Sequence, residues 1–277
     1  ACHSTPIRGT RGVIGVLWAN FVSLELFGTN ATIWIASAVN AVVALAALYL
    51  ARGAPDTVET KVESKPSVGV SGVQVSLLVA IAAVTGGAFL GMEVVWYRML
   101  APILGGSVYT FGVVLAVALT GVGSGGIAYA MVDKVHGQRT IEVLAVTCAI
   151  EAILLVLPYA IGDRIAILAL ALRSWASGGL TALVAGWVVV AGIVVLPPAF
   201  LSGYQFPLLI RALGSGRLRV GSHVGLIYAA NATGSIVGSL SFGLWLIPSL
   251  SAPTSWRLAA VLLAALAVVI MITTRSA

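Results

Sequence analysis

The chain has 277 residues, of which 60% are hydrophobic and only 9% charged, with a formal net charge of +6. A soluble domain carries about 25% charged residues to cover its surface, so this composition, with a mean hydropathy of +1.07, excludes a soluble globular protein. Its apolar runs are continuous rather than alternating, which excludes a membrane β-barrel. The predicted fold class is therefore all-α: a polytopic helical membrane bundle, because helices satisfy every backbone polar group inside lipid.

At about 20 apolar residues per crossing, the sequence predicts eight transmembrane helices, at approximately 12–28, 31–51, 73–97, 107–132, 140–161, 179–210, 223–247 and 256–274. Asn20 and Glu25 interrupt the first. Pro197-Pro198 and Pro207 are expected to break the sixth. Asp163 to Trp175 reads as a short surface helix, too short to cross. Residues 1–52 form a two-helix hairpin, 53–72 a flexible linker rich in charge, Pro, Ser and Gly, and 73–277 a six-helix membrane unit. The opening residues hold no initiator Met and no secretory signal, and read as the middle of something longer.

Basic residues set the expected orientation. With the N-terminus inside and every span crossing, Arg8, Arg11, Arg52, Lys61, Lys65, Lys134, Arg139, Arg211, Arg217, Arg219 and Arg275 are cytoplasmic. Only Arg98, Arg164, Arg173 and Arg257 are outside. Both termini are thus expected in the cytoplasm of a multi-pass plasma-membrane protein. Basic loops of this kind report topology, and no nucleic-acid partner is expected.

Residues 12–51 and 235–274 share a layout at a constant offset of 223 residues, in which Gly15 falls on Gly238 and Phe27 on Leu250. Each block ends on a basic residue, Arg52 or Arg275. This points to a partial repeat, two helices plus six, running parallel as do the halves of a major-facilitator transporter.

The candidate site residues are polar groups stranded in apolar spans. Ionisable groups there cost about 2.5–3.5 kcal/mol each on insertion scales and face an interior or a cavity. Glu93 heads them, in Gly91-Met92-Glu93-Val94-Val95-Trp96-Tyr97-Arg98, with Arg98 reading as a tether that snorkels to the outer headgroups. Glu151 is mid-span, whereas Glu142, nearly opposite it on the same helix, sits near the cytoplasmic end. Tyr204 and Gln205 lie between the prolines of the sixth span, and Asn231 opens the seventh. Glu25, Glu93 and Glu151 together would make an acidic interior. Ser107 and Tyr109 follow Gly105-Gly106 at the start of the fourth span, where Ser107 is a natural helix cap. Each also has a plainer structural explanation: bonding inside the bundle for Glu93 and Asn231, a kink that shapes the bundle for Tyr204 and Gln205, and a capped helical hairpin for Ser107 and Tyr109.

Gly121-Val122-Gly123-Ser124-Gly125-Gly126 has the letters of a dinucleotide fingerprint, but it lies inside a span rather than between a strand and a helix. It reads instead as close helix packing, together with Gly87/Gly91 and Gly234/Gly238. Cys2 and Cys148 are far apart, and no catalytic, cofactor or metal constellation is visible.

Four motifs in order carry a resemblance. These are Glu93-Val94-Val95-Trp96-Tyr97-Arg98-Met99-Leu100, Gly106-Ser107-Val108-Tyr109, Gly203-Tyr204-Gln205-Phe206-Pro207 and Gly225-Leu226-Ile227-Tyr228-Ala229-Ala230-Asn231-Ala232-Thr233-Gly234. Together they resemble the membrane part of the fused major-facilitator/spermidine synthase family over about residues 73–275. Residues 10–51 resemble the end of that family's first repeat. The resemblance implies a polyamine context. In fuller members a soluble aminopropyltransferase domain follows the helices, whereas this chain ends at Ala277, just after its last span. No catalysis is therefore expected of the chain itself. The expected function is a transmembrane module that binds or moves polyamine or another cationic amine, with Glu93 as counter-charge and Glu151, Tyr204, Gln205 and Asn231 as further contacts. The alternative is a non-transporting anchor for a cytoplasmic spermidine synthase. The expected partners are the lipid bilayer, a polyamine and a cytoplasmic synthase domain or subunit.

Overall fold

Long apolar runs without charge leave the backbone no polar partner but itself, and they fold as helices. A computed structural model describes residues 15, 18, 22–52, 72–132, 140–213 and 220–275. The chain divides into two units, Leu17–Gly69 and a larger one made of Ala1–Val16 with Val70–Ala277. Among the described residues, seven helices are long and apolar enough to cross a membrane. The first half of the expected first span, 12–28, lies largely outside the described residues, as do the linker, the loop holding Arg217 and Arg219, and the side chain of Glu25.

The smaller unit holds α1, Leu24–Arg52, which bends at Gly28 (φ 71°, ψ 175°). In the larger unit, α2 is Gly72–Leu104, α3 Val108–Val132, α4 Thr140–Ala160 and α5 the short Gly162–Leu172. A 3₁₀ stretch, Arg173–Gly178, leads into α6, Leu180–Ala212. Then α7, Val220–Leu240, runs on through a π-helical segment, Ser241–Leu246, and a last turn, Ile247–Leu250. The chain ends in α8, Ala252–Arg275.

Helix α2 packs mainly on α7, α3 on α6, and α4 on both α8 and α6. Glycines decide the closest approaches. A Cβ at Gly125 would fall on the Phe200 carbonyl, and one at Gly203 on the Val122 carbonyl, so α3 and α6 touch backbone to backbone. Gly87, Gly234 and Gly238 do the same for α2 and α7, where a Cβ on Gly234 would meet the Ala83 carbonyl. Leu78, Ile81, Leu144, Leu208, Ile227 and Ile270 fill the core between α2, α4, α6, α7 and α8.

Two expectations are corrected. The third predicted span does not stop at Tyr97: α2 continues through Pro102 to Leu104, so Arg98 sits within the helix and exposed rather than beyond its end. Nor is the sixth span broken, for α6 passes as one helix through Pro197, Pro198 and Pro207. Proline's fixed φ suits a helix, and what it removes is one hydrogen bond per ring. Neighbouring helices cover the exposed carbonyls. The carbonyl that Pro207 leaves without an amide belongs to Gly203, and it faces Gly126 of α3. The irregular backbone lies instead in α7, whose π segment the sequence did not announce.

The offset of 223 residues has a backbone counterpart. Gly28 (φ 71°) and Ser251 (φ 78°) are both left-handed and stand that far apart. Thr32 Oγ1 donates to the Gly28 carbonyl at 2.8 Å, and Ser255 Oγ donates to the Ser251 carbonyl at 2.8 Å, each from four residues on. π-Helical residues precede both bends: Val22 and Ser23 in one case, Ser241–Leu246 in the other.

Candidate functional site: buried polar groups in the helical bundle

Glu93 lies on α2, 11 residues before its end at Leu104. Its carboxylate is half-buried, and Oε1 is shut away from solvent without a hydrogen-bond partner. One turn on, Trp96 is 1% exposed, and its Nε1 is likewise buried without an acceptor. An unserved acceptor and an unserved donor thus stand three residues apart on one helix, on neighbouring positions of its surface. Phe89 packs edge-on against Trp96, with ring centroids 6.1 Å apart. From α7, the π segment sets Phe242 on Gly91, where a Cβ would come within 2.6 Å of the ring, and Gly243 beside Val94. Single π-helical turns inside α-helices are frequent at functional sites, and this one packs on Gly91 and Val94, in the stretch that carries Glu93.

The end of α2 is held by the turn into α3. Gly105 (φ 106°) and Gly106 (φ 63°) take backbone angles that side chains resist. Ser107 then caps α3, its Oγ accepting the Thr110 backbone N–H at 3.3 Å. Tyr97 and Phe111 pack edge to face across the turn at 5.4 Å. Tyr109 is half-buried in the first turn of α3 and is itself engaged in an interaction. Ser107 is a structural cap here.

A second polar centre joins α4 to α6. Gln205 Nε2 donates to Glu151 Oε2 at 2.7 Å, across 54 residues of sequence. Glu151 is 4% exposed and Gln205 1%. The amide's other atom, Gln205 Oε1, is buried with no donor. Tyr204, next along α6, packs edge-on against Tyr129 of α3 at 5.5 Å. Cys148 is buried one turn before Glu151. Asn231 is placed elsewhere, on α7 against Gly86: a Cβ there would lie 2.6 Å from Asn231 Oδ1.

The structure thus brings Glu151 and Gln205 together, sets Tyr204 against Tyr129, and leaves Glu93 and Asn231 at separate places along α2. Helices α2 and α4 share no substantial contact, while α6 and α8 each touch both. Among the described residues no three acidic, His or Cys side chains gather to hold a metal ion, and the expected acidic interior rests in part on Glu25, whose side chain lies outside the described residues. Trp96, Phe242 and Tyr129 were missed as neighbours of the site. All three are apolar-looking letters in apolar runs, and only packing distinguishes them from filler. An open groove of about 910 Å³ between α4 and α8 holds none of the candidate residues. Its walls are alanines, β-branched residues and Met271, together with Arg257, which stands 5.5 Å over the Tyr159 ring.

No protein-family model, curated protein or solved structure matches the chain.

Proposed function

We propose that this chain is a plasma-membrane module, with both termini cytoplasmic, that binds a cationic amine and carries it into or across the bilayer. The observation that carries this reading is the buried Oε1 of Glu93, which has no hydrogen-bond partner. A buried carboxylate oxygen without a donor is costly, and an ammonium group would serve it with both charge and hydrogen bonds. Phe89 and Trp96 supply aromatic faces beside it, which attract cations by about 0.5–2 kcal/mol. The family resemblance of the Glu93–Leu100 motif makes a polyamine the first amine to try.

The paired bends at Gly28 and Ser251 support a duplicated hairpin, two helices of one repeat and six of another, as in major-facilitator architecture. Repeats of this kind carry their binding sites at mid-membrane helix faces.

The test is thermal-shift titration of the purified chain with spermidine in detergent at moderate salt, with an uncharged polyol as control. Wild type should be stabilised by spermidine alone, and Glu93→Gln should fold but lose the shift. A well-folded wild type that ignores spermidine ends the reading. An anchor for a synthase would tolerate Glu93→Gln in every respect.

A further inference from the structure

Gln205 and Glu151 make half of a familiar two-bond pair. An amide and a carboxylic acid can face each other so that the amide N–H donates to one acid oxygen while the acid O–H donates to the amide oxygen. The first of these bonds is present, Gln205 Nε2 to Glu151 Oε2 at 2.7 Å. The second would fall on Gln205 Oε1, the atom that is buried and lacks a donor. An ionised Glu151 has no hydrogen to offer it, and a buried acceptor left unserved is rare in native structures. Among the described residues no basic side chain pairs with Glu151 to balance a charge, its bond being to the neutral amide.

We propose that Glu151 and Gln205 form a proton-binding site inside the membrane, with the proton held on the free oxygen of Glu151 and donated to Gln205 Oε1. Loading the site forms one O–H bond with a proton drawn from water, and unloading returns that proton. Gln205 orients the acid: its N–H fixes Oε2 as the acceptor and so assigns the proton to the other oxygen. The ligand is a proton rather than a larger cation because the pair is closed, with both side chains below 5% exposure and their polar ends already in contact.

Among the described residues the surroundings show no hydrogen bond or ion pair from a charged side chain to Glu151 or Gln205. Helix α4 brings Cys148, buried one turn away, and α6 brings Tyr204, whose ring packs on Tyr129 of α3. The charged residues of the packed helices stand towards their ends: Glu142 on α4, Asp163 and Arg164 on α5, Arg211 on α6, and Arg257 and Arg275 on α8. The inference needs no amine at Glu93 and survives if that reading fails.

Infrared spectroscopy of the full chain in lipid decides it, because a protonated carboxyl has a C=O stretch distinct from that of a carboxylate. At neutral pH wild type should show a protonated-carboxyl band that Glu151→Gln abolishes and Glu93→Gln leaves in place. Gln205→Leu should move the band to higher frequency, as expected of a carboxyl that loses its hydrogen bonds. Glutamine is nearly isosteric with the protonated acid and can keep the two-bond pair, so Glu151→Gln should also unfold within a few degrees of wild type. Absence of the band in folded wild type overturns the proposal, as does a band that disappears with Glu93→Gln. Should Glu151→Gln not fold, the frequency shift in Gln205→Leu decides alone, and an unmoved band overturns it.

Discussion

Gly28 and Ser251 hold the same left-handed backbone geometry 223 residues apart, with φ of 71° and 78° and ψ of 175° and 157°. In each case a hydroxyl four residues later, Thr32 or Ser255, bonds back to the carbonyl. That region of backbone space is nearly reserved for glycine, and another residue held there is strained by about 1–3 kcal/mol. Ser251 carries this strain and Gly28 does not. Ser251→Gly should therefore raise thermal stability in detergent, less the weak Ser251 Oγ to Thr254 Oγ1 contact at 3.3 Å. Gly28→Ala should lower it. A destabilised Ser251→Gly would mean that its side chain matters more than its backbone.

The α3–α6 contact should respond to a single methyl group. Gly125→Ala would drive a Cβ into the Phe200 carbonyl, and Gly203→Ala would drive one into that of Val122. Neither backbone can yield without parting the helices, so each should cost about 1–3 kcal/mol or more. Gly192, on the same α6, has nothing within 4 Å of an added Cβ. Gly192→Ala should be neutral or stabilising by up to about 1 kcal/mol through helix propensity. Thermal unfolding of the three variants side by side checks the contrast.

Trp256 Nε1 donates to the Leu155 carbonyl at 2.9 Å, tying the start of α8 to α4 across 101 residues of sequence. Trp256→Phe keeps most of the ring burial and deletes the bond. A loss of about 0.5–1.5 kcal/mol in unfolding stability is expected, with spermidine binding by the folded protein unchanged.

Trp96→Phe is a different case, because its Nε1 has no acceptor to lose. Stability should fall by about 1–2 kcal/mol, because the smaller ring leaves a void at a position only 1% exposed. Spermidine affinity should fall about two- to five-fold, since the indole face attracts a cation by about 0.5–1 kcal/mol more than a weaker ring would. An affinity equal to wild type would remove Trp96 from the amine site.

Local chemistry was legible in the sequence because it acts through neighbours in the chain. Hydropathy alone marked the helices. Gly105-Gly106-Ser107 announced a turn and a cap, and Ser107 does accept the Thr110 amide. Gly87, Gly234 and Gly125 announced close packing, and each stands against another backbone. Glu93 stood out because a carboxylate in an apolar run is expensive wherever its helix goes.

What only the tertiary structure decided is which stranded polar group meets which. Glu151 and Gln205 look alike in the sequence as lone polar residues in separate spans, and docking α4 on α6 turns them into one bonded pair. The same docking leaves Glu93 apart from them. Three prolines predicted a broken α6, yet the helix continues through all of them, while the irregular turn falls in α7 beside Gly91. The physical reason is that membrane helices are uniformly apolar around their surface. Burial therefore does not select a face, and small residues, backbone approach and scarce polar partners select it instead.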